Sequence, residues 1–344
     1  MSVLQSDLRY YGSANMPDTT GTTGGAVTFS TKVFFSDVSS AVIPSVVSSS
    51  SSDTAVTLAI YSLNASGTPQ NETVTLTGTT LKAATLSAGR LMKALTGGTT
   101  AVGDVAVLGN ELVTGHTMQA GTANGCTLQS GDGGSVAIGN IIQVTNNAPS
   151  GAQFQLRTIV GINGDVVVVS RAWGTNPSSS TTYNVWNGML FDLLPNQATQ
   201  VRRVFYGATA QATGGSTNVY YEKVFAVNDN TATDETSAAI LKQTDPVGLY
   251  SGSGALDFAL CNNLNDTSTI TTNLNPGTPP ATITSYSSGA APQSINVPNV
   301  SQNLPHGSVP NAAGAQGVWL RLTLVAGEAT FNSFATLRTS GVTI

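Results

Sequence analysis

Short runs in which apolar and polar residues alternate recur along the whole chain, and almost nowhere does the period lengthen to that of a helix. Val56, Leu58 and Ile60 alternate with Thr57 and Ala59, and Val74 and Leu76 alternate with Thr73, Thr75 and Thr77. A period of two places one face of a strand in a core and the other in solvent. Asn64-Ala-Ser-Gly67, between the two runs, carries turn residues, so residues 55–77 are expected to form a hairpin. Similar runs lie at Val27–Phe35, Gln155–Ile162, Val166–Ser170, Tyr220–Val227, Leu256–Leu260 and Val318–Leu324, punctuated by Gly, Asn, Pro and Ser. Strands of that length and spacing suit sandwiches and barrels.

Helical signal is thin. Asp234-Glu-Thr-Ser-Ala-Ala-Ile-Leu-Lys242 has room for about two turns, with Asp234 as its cap. Leu81–Leu95 contains helix formers, but Gly89 and the Thr and Ser content favour an extended reading. The expected fold is therefore all-β: two β-sandwich units with a small β-barrel-like module between them, and long extended arms. Three blocks are expected. Residues 1–110 hold a polar arm, reaching to about Gly25, and a first β unit; residues 111–188 form the small module, centred on Val136–Trp173. Residues 189–344 form the second β unit, interrupted by a Pro/Asn/Ser-rich loop at 273–313. Both arms are poor in periodic apolar residues yet carry isolated anchors: Leu4, Leu8, Tyr10 and Tyr11 in one, Ile283, Tyr286, Ile295 and Val297 in the other. Such anchors are expected to dock on other subunits of a symmetric homo-oligomer, with a trimer slightly preferred.

Charge changes the picture most. Asp, Glu, Lys and Arg make up 9% of the 344 residues, against about 25% for ordinary soluble domains. A free enzyme relies on surface charge for solubility, so the composition points to permanent contact with neighbours or to a stable exposed shell. The hydrophobic content of 40% separates the chain from disordered sequences. A net charge of −5, with Arg202–Arg203 the only adjacent basic pair, argues against a nucleic-acid partner. No run of eighteen apolar residues is present, so no membrane-spanning helix is expected. Met1-Ser-Val-Leu-Gln-Ser-Asp-Leu-Arg-Tyr10 lacks the pattern of a secretory signal, and synthesis and assembly in a host cytoplasm are expected. Cys126 and Cys261 stand in no CxxC pattern and are expected to be free, buried thiols.

The residues that carry chemistry elsewhere do not assemble into a motif here. His116 and His306 have no HxH or HxxxH spacing and no GxSxG partner, and read as exposed loop histidines. Asp245, Asp257 and Asp266, candidates for a glycosidase pair, sit in turn-rich segments where Asp is common anyway. Asp229, Asp234 and Glu235 lack the alternating order of a calcium loop. Gly131-Asp-Gly-Gly134 lacks the Lys-Ser/Thr of a phosphate cradle and reads as a hairpin loop. Trp173, Trp186 and Trp319 are candidate sugar platforms, although Trp319 lies in an alternating strand where core packing is the better reading. Arg157 and Arg171 sit on alternating strands, either paired with carboxylates, presented to a neighbour, or solvated. No catalytic, cofactor-binding or metal-binding residue is assigned, no cofactor is called for, and no enzymatic activity is expected.

Three segments resemble pieces of tailed-bacteriophage virion structural proteins. They are Leu8-Arg-Tyr-Tyr-Gly-Ser-Ala-Asn-Met-Pro-Asp18, the stretch Gln155–Trp173 with its Q-x-R-x-I and V-x-R-x-W strands, and Tyr221-Glu-Lys-Val-Phe-Ala-Val-Asn-Asp-Asn230 together with Gly317-Val-Trp-Leu-Arg-Leu-Thr-Leu324. The resemblance implies a non-enzymatic component of the particle, held by contacts with other capsid or tail subunits. Its place is capsid decoration (cement) or a head–tail or tail part. A host-recognition or carbohydrate-binding module of a phage fibre is the alternative, and a polysaccharide-degrading enzyme a third reading.

Overall fold

In the computed structural model the chain is all-β. The structure describes residues 3, 7–145, 154–192, 198–211, 214–246, 254–299, 302–307, 314–327 and 335–342. Helix among them is limited to short 3-10 turns, of which Asp132–Gly134 is one. The chain divides into two units rather than three consecutive blocks: a terminal unit holding Leu8–Phe29 and Val204–Ile344, and a central unit holding Ser30–Arg203. Strand β1 (Leu8–Asn15) belongs to the terminal unit, and β2 (Thr23–Lys32) begins there and ends in the central one.

The central unit contains β3 (Ser45–Ser48), β4 (Val56–Leu63), β5 (Pro69–Thr75), β6 (Lys82–Ala83), β7 (Arg90–Gly98), β8 (Val105–Thr117), β9 (Ala120–Thr122), β10 (Gly125–Thr127), β11 (Ile141–Val144), β12 (Leu156–Asn163), β13 (Val166–Val169), β14 (Thr182–Phe191) and β15 (Gln200–Arg202). The run β15-β7-β4-β5 packs on a second sheet ordered β6-β3-β8-β14-β11-β12-β13-β10-β9. Leu58, Ile60 and Leu91 from the first and Val46, Val105, Val107, Met189 and Phe191 from the second share one buried cluster. The expected hairpin is β4–β5, registered from Thr57↔Thr75 to Leu63↔Pro69, with the Asn64 side-chain oxygen accepting from the Ser66 and Thr68 backbone. Leu81–Leu95 is extended, as its composition suggests.

The far half of the second sheet gathers around a core of its own. Val113, Cys126, Ile142, Ile159, Val167, Trp173, Tyr183 and Val185, drawn from six strands of that sheet and the segment after β13, form one cluster. The cluster lies within the expected 111–188 block, and neither end of that block is a boundary between units. Strands β8 and β14 pass through residues 110 and 188 and serve both cores, with register shifts between Tyr183 and Gly188. Bulges of that kind increase local twist and let a continuous strand turn from one core to the next.

The terminal unit adds β16 (Asn218–Asn228), β17 (Thr236–Thr244), β18 (Ala255–Leu264), β19 (Thr269–Ile270), β20 (Gln293–Asn296), β21 (Ala315–Leu324) and β22 (Thr336–Val342). Their main order is β18-β21-β16-β1-β2, and β17 lies between β20 and β22 in a separate small sheet. The helix expected over Asp234–Lys242 is therefore absent. Thr236–Thr244 is a strand whose Ile240 is opposite Ile295 on one side and Thr339 on the other. Pairing on both edges outweighs the helix propensity of Ala, Leu and Lys.

The expected arms fold back onto their own chain. Leu8, Tyr10 and Tyr11 lie in β1, paired with β16 from Leu8↔Asn228 to Gly12↔Val224, and Tyr11 meets Phe29 edge-on with centroids 5.2 Å apart. Ile283 and Tyr286 pack on the cluster of Tyr221, Cys261, Ile270 and Trp319, while Val297 is fully buried with Ala238 and Leu304. The backbone of residues 282–287 bonds to Phe258, Leu260 and Asn262, covering the outer edge of β18. A covered edge cannot recruit foreign strands. These anchors thus lie against their own chain; Leu4, and part of the 273–313 loop, lie outside the described residues.

One backbone approach is tight enough to test. Gly24 has φ +93°, and a Cβ there would lie 2.6 Å from the Ser268 carbonyl oxygen and 2.8 Å from the Trp319 ring. Gly24→Ala is expected to lower unfolding free energy by about 2 kcal/mol or more in denaturant titration. Gly67→Ala, at φ +80° with nothing within 4 Å, carries only the backbone strain and is expected to cost less. Equal losses at the two positions would show that β2 and β19 are not in close contact.

Candidate functional site

The polar centre of the central unit begins with Asp104, the residue before β8. Its Oδ2 accepts from Arg157 Nη1 at 2.9 Å and from Arg171 Nη2 at 2.5 Å. Arg157, on β12, is 3% exposed and otherwise satisfied by the Leu156 and Ala172 carbonyls and the Gln155 side chain, with its guanidinium 5.3 Å from the Trp173 ring. Burial, and then the charge of Arg171, bring the Arg157 guanidinium down to about 10 against the pull of Asp104. It stays protonated at neutral pH. Ser49–Ser51, Val102, Gly103, Gln155 and Gly174 line an open cleft of about 700 Å³ beside this cluster.

The serine-rich loop before β4 is shaped by a second carboxylate. Asp53 accepts from the Val102 and Gly103 backbone and from Ser48 Oγ, at 2.7, 2.9 and 2.5 Å. Gly103 permits that approach, because a Cβ there would sit 2.5 Å from Ser48 Oγ and from the Ser50 nitrogen. A third, Asp37, accepts from the Val38 and Leu91 backbone and from Arg203, with Arg90 3.8 Å away.

His116 is on strand β8, not in a loop, with a half-buried side chain whose Nδ1 lies 2.8 Å from Asp132 Oδ2. The same oxygen accepts from the fully buried Tyr183 hydroxyl. Burial first, and this bond second, push the Tyr183 phenol well above its usual range. Gly131–Gly134 is not a hairpin loop, because β10 and β11 are not paired with each other. Its glycines do cradle an anion, but one from this chain: the Gly131 and Gly133 N–H groups donate to Asp165, holding that carboxyl below its ordinary value.

In the terminal unit the candidate carboxylates scatter onto separate cations. Asp245 meets Lys242 at 2.7 Å, Asp257 meets Arg321 at 2.7 Å, and Asp266 meets Lys223 at 2.5 Å. Lys223 and Lys242 are fully buried, and Lys223 Nζ also lies near the Phe225 and Trp319 rings. Asp229 pairs with Arg9 at 3.2 Å. Asp234 caps no helix; hydrogen bonds from the His306 backbone and ring depress its carboxyl, and burial raises that of Glu235. Trp173, Trp186 and Trp319 are all buried, so none offers a sugar a free face. Cys126 and Cys261 are free and buried, and burial pushes both thiols up to about 12, which leaves little reactive thiolate. Among the described residues no group of three His, Cys, Asp or Glu side chains is placed to hold a metal ion.

Arg157 and Arg171 stand out in the sequence, but their common acceptor does not, and neither do Asp37, Asp53 and Asp132. Each of these aspartates stands in a neutral run next to a strand or turn, and in so uncharged a chain that isolation was the available signal. Compared with protein-family models, with curated proteins and with solved structures, the chain matches none.

Two outcomes follow from the ion pairs. Asp104→Ala leaves Arg157 buried without its carboxylate, and denaturant titration is expected to show a loss of about 3–5 kcal/mol. A loss below about 1 kcal/mol would mean that Arg157 gains solvent instead. For Asp266, burial alone would raise the carboxyl, but hydrogen bonds from Lys223 and Ser268 outweigh it and hold the group below its ordinary value. A carboxyl depressed in the folded state contributes stability above its unfolded value of about 3.9, and this is lost as pH falls through the folded value. Asp266→Asn is therefore expected to destabilise strongly at pH 7 and much less at pH 2, as read from melting temperatures. A pH-independent deficit would contradict this assignment.

Proposed function

We propose that this chain is a non-enzymatic structural component of a tailed-phage virion, acting through protein–protein contacts as a capsid decoration or as a head–tail or tail part. The observation that carries the reading is where the charge goes. Asp37, Asp104, Asp192, Asp257 and Asp266 are each consumed in ion pairs within a unit, and the cations they hold are largely buried. Catalysis needs such groups free, with a nucleophile or acid–base pair converging on one point. What remains outside is a surface mostly of hydroxyls, amides and glycines with few charges, Lys82, Glu111 and Arg338 among them, suited to lasting contact with other subunits. The three resembling segments support the same reading: all contribute strands, and none supplies a reactive group. The fibre-tip alternative has less support, because the tryptophans it would use for stacking are buried.

The partners on this reading are other virion proteins and further copies of the chain, and the location is the assembled particle. Mass spectrometry of particles purified from an infected or induced culture that expresses the gene is the direct test. The chain is expected in stoichiometric amount and to stay with the particle through a density gradient. Its absence from washed particles would overturn the proposal.

A further inference from the structure

Arg171 stands apart from the other cations of the central unit. Arg157 spends its donors on Asp104, Gln155 and two backbone carbonyls. Arg171 makes one hydrogen bond, through Nη2 to Asp104, and its Nε is buried without a partner. Its side chain is 18% exposed and lines the open cleft with Ser51, Val102 and Gly174. Arg157 and Arg171 share Asp104, while Asp192, which also attracts Arg157, is paired with Lys32 at 2.5 Å. Asp53, the other carboxylate near the cleft wall, is already held by two backbone N–H groups and Ser48 Oγ.

We propose that this cleft is a carboxylate-binding site, with the guanidinium of Arg171 as the principal donor. A guanidinium is a planar fork matched to the two oxygens of a carboxylate, and a charge-assisted bond in a partly dry cleft is stronger than one in water. Because Arg171 shares one Asp104 oxygen with Arg157 and makes a single hydrogen bond, its guanidinium retains donor capacity that an incoming carboxylate can take up. Ser50 and Ser51 also line the cleft, and a serine hydroxyl there is able to donate to the same oxygens. Val102, 64% exposed at the cleft, offers an apolar contact for the rest of the ligand. The carboxylate is carried either by a small free acid or by an acidic side chain of a second copy. The proposal stands on the cleft alone and is independent of the virion reading.

The test uses the full chain and nuclear magnetic resonance of arginine side-chain N–H groups, titrated with sodium acetate and with glucuronate at constant ionic strength against chloride. A saturable shift at Arg171 is expected. Arg171→Gln is expected to abolish binding, and Val102→Glu, which sets a competing carboxylate at the rim without touching the ion pairs, to weaken it at least about tenfold. Lys82→Gln, an exposed cation on β6, is expected to leave it unchanged. Sedimentation velocity separates the sources: self-association dispersed by acetate assigns the carboxylate to another copy, and an unchanged monomer that still binds acetate assigns it to a free acid. No saturable shift in the wild type, or undiminished binding in a folded Val102→Glu variant, overturns the proposal.

Discussion

The structure depends on burying its few charges in pairs between strands. A buried ion pair is a poor source of net stability, because removing two charges from water costs about as much as their attraction returns. Breaking one is another matter, since the orphaned charge remains in the low-dielectric interior. That asymmetry makes the pairs a means of fixing register. The sheets here are rich in Val, Thr, Ala and Leu, and a two-residue slip would keep the apolar face inward at modest cost. It would also tear Asp257 from Arg321, which are directly opposite in the β18–β21 ladder. Lys223, fully buried on β16, locks the β16 ladder to the Asp266–Ser268 turn in the same way.

A consequence appears at the surface. Charge committed to internal pairs is not available outside, so solubility and contact both fall to neutral polar groups. Such a surface does not repel its own kind, and its edges must be managed by other means. The outer edge of β18 is closed by the backbone of residues 282–287, through bonds from the Thr284 and Ser287 amides and to the Thr282 carbonyl. The Pro/Asn/Ser-rich composition that suggests a reaching arm is instead that of a cover, because turn-forming residues let a chain follow an edge without extending it.

What could be read from the sequence was what is decided locally. The β4–β5 hairpin needs only alternation and the Asn64 turn, both contained in residues 55–77. The strand at Thr236–Thr244 is not legible locally because its neighbours, Gln293–Asn296 and Thr336–Val342, lie about fifty and a hundred residues further on. Within nine residues only a short run of helix formers after Asp234 is visible. The Asp104 cluster was hidden for the same reason, since its two arginines are 53 and 67 residues away. The boundaries at 110 and 188 failed because one strand can serve two cores, and a strand read in isolation carries no mark of where one core ends and the next begins.

The two units differ in how their strands are collected. The central unit takes its strands from one continuous stretch of chain, so its ladders close over moderate separations. The terminal unit inserts β1, from the first residues, between β2 and a strand more than two hundred residues later, and Tyr10 shares a hydrogen bond with Thr339 across 329 residues. Closing such distant contacts is slow, because loop entropy is lost before the contacts form. Because β1 lies inside the sheet and not at its edge, withdrawing it would break ladders on both sides. Opening then requires much of the unit to come apart together, which raises the barrier to unfolding as well as to folding. A strand locked into a sheet interior by partners so distant in the chain therefore favours persistence over rapid exchange.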